Sequence, residues 1–509
     1  MMRFAMKPAL LLALIFALVG CASTPRTDAP SATTAAQDTQ WLDRLTWGAT
    51  TPDLQQLRRT GRAAWLDAQL QPRGKLPDAV VTQVQALPVT QQPLPALVQQ
   101  LEAQRKAADA LTDDTAKAEA QKAYQQALTQ LARQASQRAL LNALYSPNQL
   151  QEQLTWFWFN HFNVHQYKSN LRVMVGDYEQ GLRERSLGTF RELLGYTTHH
   201  PAMLRYLDNE QNAANRINEN YARELLELHT LGIGGGYSQK DVQELARVLT
   251  GLGVNLTDKA PKLKAGQEAQ YRRNGLMEFN PMRHDFGDKT VLGTTIKGQG
   301  FAEIDQVLDL LARHPSTARF VSRQLAQAFV ADEPPAALVD RMAQRWQQTD
   351  GRIADVMRAM VESPEFEASL GHKFKDPTHY VVSAVRLAYA DKVMLNTGPM
   401  IGWLYRLGQA PYNRQTPDGY PLDENAWAGP GQMTTRFEIA RAIGSGSAGL
   451  FKVEGEPKDR PAFPQLATPL YYDGIAPRLA PATQQALSQA TSPQEWNTFL
   501  LASPDFMNR

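Results

Sequence analysis

The chain has almost no cysteine: Cys21 is the only one in 509 residues. That excludes a disulfide-stapled scaffold and any paired Cys-x-x-Cys redox or zinc site, so the body has to be stabilised by packing. Charge of one sign is scarce as well. Lys and Arg total 53 against 51 Asp and Glu, a formal net charge of +2, which supplies no field to gather nucleic acid or anionic lipid. No nucleic acid partner is expected. Past residue 20 no apolar run approaches the roughly twenty residues that span a bilayer. A Gly-x-Ser-x-Gly nucleophile elbow, a phosphate loop, a dinucleotide fingerprint and an internal repeat are also missing. These gaps shorten the list of enzyme classes without closing it.

What is present begins with the leader. Arg3 and Lys7 give a short positive region, Pro8 to Val19 an apolar stretch too short for a mature span, and Leu18-Val19-Gly20 runs directly into Cys21. Bacterial lipoprotein signal peptidase cuts this pattern. Residues 1–20 are therefore expected to be a signal peptide and Cys21 the lipidated residue. Palmitate-type chains there would contribute roughly 0.8 kcal/mol per buried methylene, enough to hold the protein to a membrane. Ala22, rather than aspartate, follows Cys21, which in a Gram-negative cell favours the outer membrane, with the body facing the periplasm. Residues 21–39, largely Ala, Ser, Thr, Pro, Asp and Gln, carry little to bury and read as a flexible tether.

Residues 40–509 are expected to form a single large domain, mainly α and multi-helical. Helical spacing runs from Trp41 to Leu70, and a proline-punctuated stretch follows from Pro77 to Pro95. Leu97 to Leu144 has the Ala, Gln, Leu and Lys composition of one or two long helices standing partly clear of the core. Further helical patterns cover 149–163, 177–194, 217–231, 239–249, 301–314, 318–330, 336–348, 353–362 and 377–389. Between them, 271–297 sets Phe279, Val291, Leu292 and Ile296 among Asn, Gly, Pro and Asp, and reads as a small β-hairpin or strand insertion. The C-terminal part, 404–450 above all, reads as loop-rich and includes the turn signal Thr416-Pro417-Asp418-Gly419-Tyr420.

The segment richest in reactive side chains is Asn218 to Thr230, stopped by Gly232-Ile233-Gly234-Gly235-Gly236. At 100° per residue, Ile217, Tyr221, Leu225 and Leu228 share one apolar stripe, and Glu224 falls on it. Asn220 and Glu227 lie along the adjacent edge. Asn218 and His229 lie on the opposite border, so Glu224 and His229 cannot meet within the helix. An inward glutamate must be ion-paired, hydrogen-bonded or protonated, and the last state is how a general acid is tuned. Either Glu224 is a structural partner of an arginine on another helix, with Arg172, Arg183 and Arg191 as candidates, or it is a catalytic acid. Arg223 and Glu227, four apart, read as an exposed pair.

Thr155 to Lys168 is densely aromatic. On a helix running to Asn163, His161 shares a face with Leu150, Leu154, Phe157 and Trp158 and points inward. It reads as a core histidine bonded to a carboxylate such as Glu224, rather than as a metal ligand, because the helix ends between His161 and His165. No metal is assigned. His284-Asp285-Phe286-Gly287-Asp288-Lys289 clusters imidazole and oxygen ligands, although a turn with solvated charges accounts for the same residues. His199-His200-Pro201 reads as a helix end with exposed rings, and Ser238 with Asp241 as a helix-start box.

Taken together, these strings resemble a large bacterial family known as the domain of unknown function 1800. The resemblance begins at Arg44-Leu45-Thr46-Trp47-Gly48-Ala49-Thr50 and Trp65-Leu66-Asp67, and takes in the Phe157 to Val164 block, His200-Pro201-Ala202-Met203-Leu204 and Tyr206-Leu207-Asp208-Asn209. It continues through Asn218 to Gly232, Leu249-Thr250-Gly251, His284-Asp285, His314 to Ala318, Ser363-Pro364-Glu365-Phe366 and Thr416 to Tyr420. It implies a mostly helical secreted or envelope protein acting with a second secreted protein, and it names no activity or cofactor. His165 departs from the family pattern, which weakens a metal site built on it.

Two functions are expected from these residues. The first is an envelope hydrolase of a polymer such as a glycan, with Glu224, Glu227 and His161 catalytic. Asn220, Asp208, Trp156, Tyr221, His284 and Asp285 would bind, and Trp156, Trp158, Tyr206 and Tyr221 would stack sugar faces. The alternative is a non-enzymatic assembly or binding lipoprotein working with a secreted partner.

Overall fold

A computed structural model describes residues 32–257, 259–394, 396–452 and 462–509; the leader and Cys21 lie outside them. Helix accounts for 62% and strand for 5%, so the architecture is mainly α, as expected. Among the described residues no helix is long and apolar enough to cross a membrane. Order begins earlier than the tether reading places it. Helix Ala32–Leu45 starts inside the 21–39 stretch, because Ala35, Thr39 and Leu42 recur at helical spacing and are buried, the helix packing on the π-helical turn Tyr471–Ile475.

The Ala-rich region folds as two helices, Leu94–Asp109 and Asp114–Tyr145, packed as a hairpin. Asp113 caps the second by accepting from the Ala116 N–H at 2.8 Å. From Leu128 onward its apolar positions enter the core, while most of its first half stays exposed. Helix Gln149–His161 is buried on nearly every side, its polar Gln149, Glu152 and Gln153 included. The 177–194 pattern splits into Val175–Arg185 and Phe190–His199, because Thr189 and Glu192 form a capping box that starts a new helix.

Strand Met277–Phe279 sits between Arg272–Asn274 and Leu252–Val254 in an antiparallel sheet, with Leu252 opposite Phe279. Leu252–Val254 lies outside the expected insertion, since three residues are too few to show a strand period. Lys289–Val291 and Thr294–Ile296 form a hairpin whose two turn residues, Leu292 and Gly293, both have positive φ. The C-terminal part holds more helix than its composition announced: Pro430–Gly444 starts on proline, follows the irregular 407–429 stretch, and packs against Pro493–Ala502.

Candidate functional site

Helix Asn220–Glu224 runs on as a π-helix over Leu225–Thr230. The Leu231 N–H reaches back five residues to the Leu226 carbonyl at 2.9 Å, and the Thr230 hydroxyl donates to the Leu225 carbonyl at 2.6 Å. Each such turn takes an extra residue, so a 100° register slips. His229, expected at the border of the inward stripe, is 1% exposed, while Ile217, expected on it, precedes the helix and is 40% exposed. Glu224 ends half-buried.

Among the described residues Glu224 makes no ion pair. The three arginines considered as partners are committed elsewhere: Arg172 to Gln125 and Thr129, Arg183 to Glu152 and Glu179, Arg191 to Asp305 and Asp309. Arg223 pairs with Glu219 at 3.1 Å rather than with Glu227, which accepts from the Tyr237 hydroxyl at 3.3 Å. Burial pushes the Glu224 carboxyl above the usual glutamate value, and the negative charge of Glu227 adds to this; Arg223 opposes it, and Asp418 adds a further push.

Asp418 arrives from the loop around Thr416 to Tyr420, which is fastened to the end of helix Gln149–His161. Asn160 donates to the Tyr420 carbonyl at 2.9 Å and accepts from the Tyr420 N–H at 2.6 Å, while Asn163 donates to the carbonyls of Arg414 and Thr416. Gly419 has φ +75°, and a Cβ there would meet the Asn160 carbonyl oxygen at 2.3 Å, so glycine is required by both shape and conformation. Burial would raise the Asp418 carboxyl, yet Arg414 at 2.7 Å and the Thr416 hydroxyl at 2.5 Å hold it below the usual aspartate value. The loop closes one side of a cleft of about 290 Å³ lined by His161, Leu228, Gln324, Asp418 and Asp423, with Glu224 outside its lining.

His161 is not bonded to Glu224. Its Nε2 lies 3.0 Å from the His229 carbonyl and its Nδ1 2.6 Å from the Gln324 amide. Both partners are oxygens, and burial lowers the ring's pKa, so the neutral imidazole donates to only one of them at a time. The imidazole thereby ties helix Gln149–His161 to the π-turn. His229 itself has no partner for either ring nitrogen among the described residues, and burial first, then His161, pushes it down to about 3.

The remaining expected site residues have partners of their own. Asn220 donates to the Leu207 carbonyl at 3.1 Å, Asp208 pairs with Lys168 at 2.8 Å, and Tyr221 is buried with its hydroxyl on Thr198. Trp158, Tyr206 and Tyr221 are core residues, so the expected sugar-stacking wall does not form; apolar packing claims those rings. Trp156, half-buried, meets Trp47 and His379 edge-on and faces a different cavity.

His284 and Asp285 do not line the Asp418 cleft. His284 Nε2 lies 3.0 Å from Glu303, Lys289 Nζ lies 2.5 Å from the same carboxylate, and all three side chains are fully buried. Against burial, which would raise it, His284, Lys289 and the Gly300 N–H hold the Glu303 carboxylate low. This is a closed core network, not a solvated turn, while Asp285 pairs with Arg247 at 2.8 Å. His200 is likewise buried rather than exposed: Nδ1 accepts from the Ala202 N–H to start helix Pro201–Tyr206, and Nε2 donates to Asp177. Among the described residues no group of three or more His, Cys, Asp or Glu could hold a metal ion.

Sequence reasoning passed over Asp418, Gln324 and Glu303. Only the last left a local signal, as the third residue of a helix that opens just after Gly300.

Residues 40–508 match the model of a family described as Protein of unknown function (DUF1800), and the chain belongs to that family. No curated protein and no solved structure matches the chain.

Proposed function

We propose that the protein is an envelope hydrolase, anchored through lipid on Cys21 to the outer membrane and acting on a polymer such as a glycan, with Glu224 as its general acid. One observation carries this: two carboxyls, Glu224 and the neighbouring Asp418 whose charge acts on it, have environments that push their proton affinities apart. Glu224 is raised by burial and by neighbouring carboxylates, while Asp418 is kept ionised by Arg414 and Thr416. A pair tuned in opposite directions is how one site supplies both an acid and a base or electrostatic stabiliser. Glu227 raises Glu224 further, and His161, sealed between Gln324 and His229, acts as a positioning residue.

The second reading, a binding or assembly lipoprotein working with a secreted partner, is favoured by the burial of Trp158, Tyr206 and Tyr221, which leaves no aromatic track for a sugar chain. The two separate on product release from purified envelope polymers. Glu224→Gln should lower turnover about 100-fold or more if it transfers the proton, and equal turnover by both proteins ends the catalytic role. Cys21→Ser should shift the protein from the membrane to the soluble fraction; persistent attachment contradicts the anchor.

A further inference from the structure

A separate cavity, of about 630 Å³, lies between residues 74–93, the C-terminal end of helix Asp114–Tyr145 and helix Val175–Arg185. Its volume falls within the range of small-molecule sites. It shares no lining residue with the cleft at His161 and Asp418.

Two polar side chains on its wall, one helical turn apart, are more than nine-tenths buried: Arg138 is 5% exposed and Asn142 is 7% exposed. Both are under-used. Arg138 Nη2 donates to the Gly176 carbonyl, but Nε has no acceptor and the guanidinium makes no ion pair among the described residues. Arg138 Nη1 and the Asn142 amide also lack partners there, yet neither is sealed from solvent as Nε is, so both open onto the cavity that the two residues line. Other buried arginines without an ion pair are better surrounded. Arg436 has the Lys375 carbonyl, the Met507 sulfur and the rings of Phe374 and Tyr380 about it, whereas Arg138 has one carbonyl. A buried charge is costly unless it is paired and hydrogen-bonded.

The charges of the wall select among occupants. Of the four charged residues lining it among the described residues, Glu152 and Arg183 are 2.9 Å apart and neutralise each other, which leaves Arg138 and Asp177. The Asp177 side chain is 50% exposed, and its one partner, His200 Nε2 at 3.1 Å, belongs to a ring that accepts from the Ala202 N–H through Nδ1 and that burial holds neutral. Its charge is therefore not cancelled. Arg138 is held at the Gly176 carbonyl and Asp177 is the next residue, so an unspent cation and an unspent anion share one stretch of wall without pairing. A lone anion would meet Asp177 there and a lone cation would meet Arg138, whereas a ligand with both charges close together satisfies the two.

We propose that this cavity binds a free α-amino acid, its carboxylate accepting from Arg138 and Asn142 and its ammonium donating to Asp177. Leu76, Val81, Val84 and Val89 in the lining offer apolar surface to an aliphatic side chain. The proposal is independent of the hydrolase reading, since no residue named for the chemistry at Glu224 enters it. The test titrates the purified full chain with D- and L-leucine, N-acetylleucine and leucinamide and follows binding by saturation-transfer NMR. One hand of leucine should bind at least about tenfold more tightly than either derivative of that hand, each of which lacks one charge and its hydrogen bond. Asp177→Asn should weaken leucine by a similar factor and leave N-acetylleucine, which has no ammonium, unchanged. Arg138→Gln should weaken leucine likewise and leave leucinamide, which has no carboxylate, unchanged. Asp177 is exposed, so its variant alone decides the matter if Arg138→Gln fails to fold. No binding of either hand of leucine, derivatives that bind as tightly as leucine, or leucine binding that survives Asp177→Asn would each overturn the proposal.

Discussion

Replacing His229 with leucine should make the protein more stable, which is unusual for a residue 1% exposed at the centre of a core. Both ring nitrogens lack a partner among the described residues, so the wild-type chain bears the cost of an unsatisfied buried polar group, about 1–3 kcal/mol. His161 bonds to the backbone carbonyl of residue 229, not to its ring, so that link survives. The pH dependence is the sharper signature. The ring is pushed down to about 3 in the folded protein against 6.5 when unfolded, so between these values the unfolded chain binds a proton that the folded chain refuses. Wild-type stability therefore falls as pH drops below about 6.5, by roughly 1.4 kcal/mol per pH unit from this group. His229→Leu lacks that loss. Urea unfolding at about pH 7.5 should show a gain of about 1–3 kcal/mol, and the gap should widen by roughly 2–3 kcal/mol on reaching about pH 4.5. Other buried histidines, such as His379 at about 4, contribute equally to both proteins. A variant less stable than wild type at neutral pH, or a gap that does not widen in acid, refutes the reasoning.

Glu303→Ala should destabilise by about 3–5 kcal/mol, because it leaves the Lys289 ammonium buried with its carboxylate gone and takes away the bond to His284; a urea midpoint close to wild type would show the network to be dispensable. Gly419→Ala should detach the Asp418 loop from Asn160 and expose residues 413–423 to limited proteolysis, whereas an unchanged digestion pattern would mean the close approach is not restrictive. Glu224→Gln should be more stable than wild type at neutral pH. The raised carboxyl of the folded protein makes wild-type stability increase as pH falls through that raised value, so the variant's advantage disappears below the ordinary glutamate range. A variant destabilised at neutral pH would contradict this.

Local rules were readable wherever the chain obeyed them locally. Ser238 and Asp241 form the helix-start box that their spacing indicates, with the Ser238 N–H on Asp241 at 2.8 Å. Apolar periodicity located most helices, and the Asn, Gly and Pro content of 271–297 located the strands around Met277. The Glu224 helix was misjudged in detail because periodicity presumes one continuous α-helix: the π-turn after Glu224 brings His229 into the core, and Ile217 falls before the helix starts at Asn220 and stays outside. The surroundings of His284 were illegible for a different reason. Its burial depends on Glu303 returning from the next helix, and nothing within the turn itself distinguishes a solvated loop from a closed ion network. The docking of Asp418 beside Glu224 is likewise a long-range event, made by Asn160 and Asn163 gripping a loop some 250 residues away.

The functional reading rests on the proton affinity of one side chain, and that can be measured without knowing a substrate. In protein carrying carbon-13 at glutamate carboxyls, the resonance that vanishes in Glu224→Gln identifies the residue, and its chemical shift followed against pH gives its midpoint. A midpoint clearly above that of an ordinary glutamate is the expected result. A midpoint at or below the ordinary value would leave Glu224 a plain carboxylate at neutral pH and remove the general acid from the site.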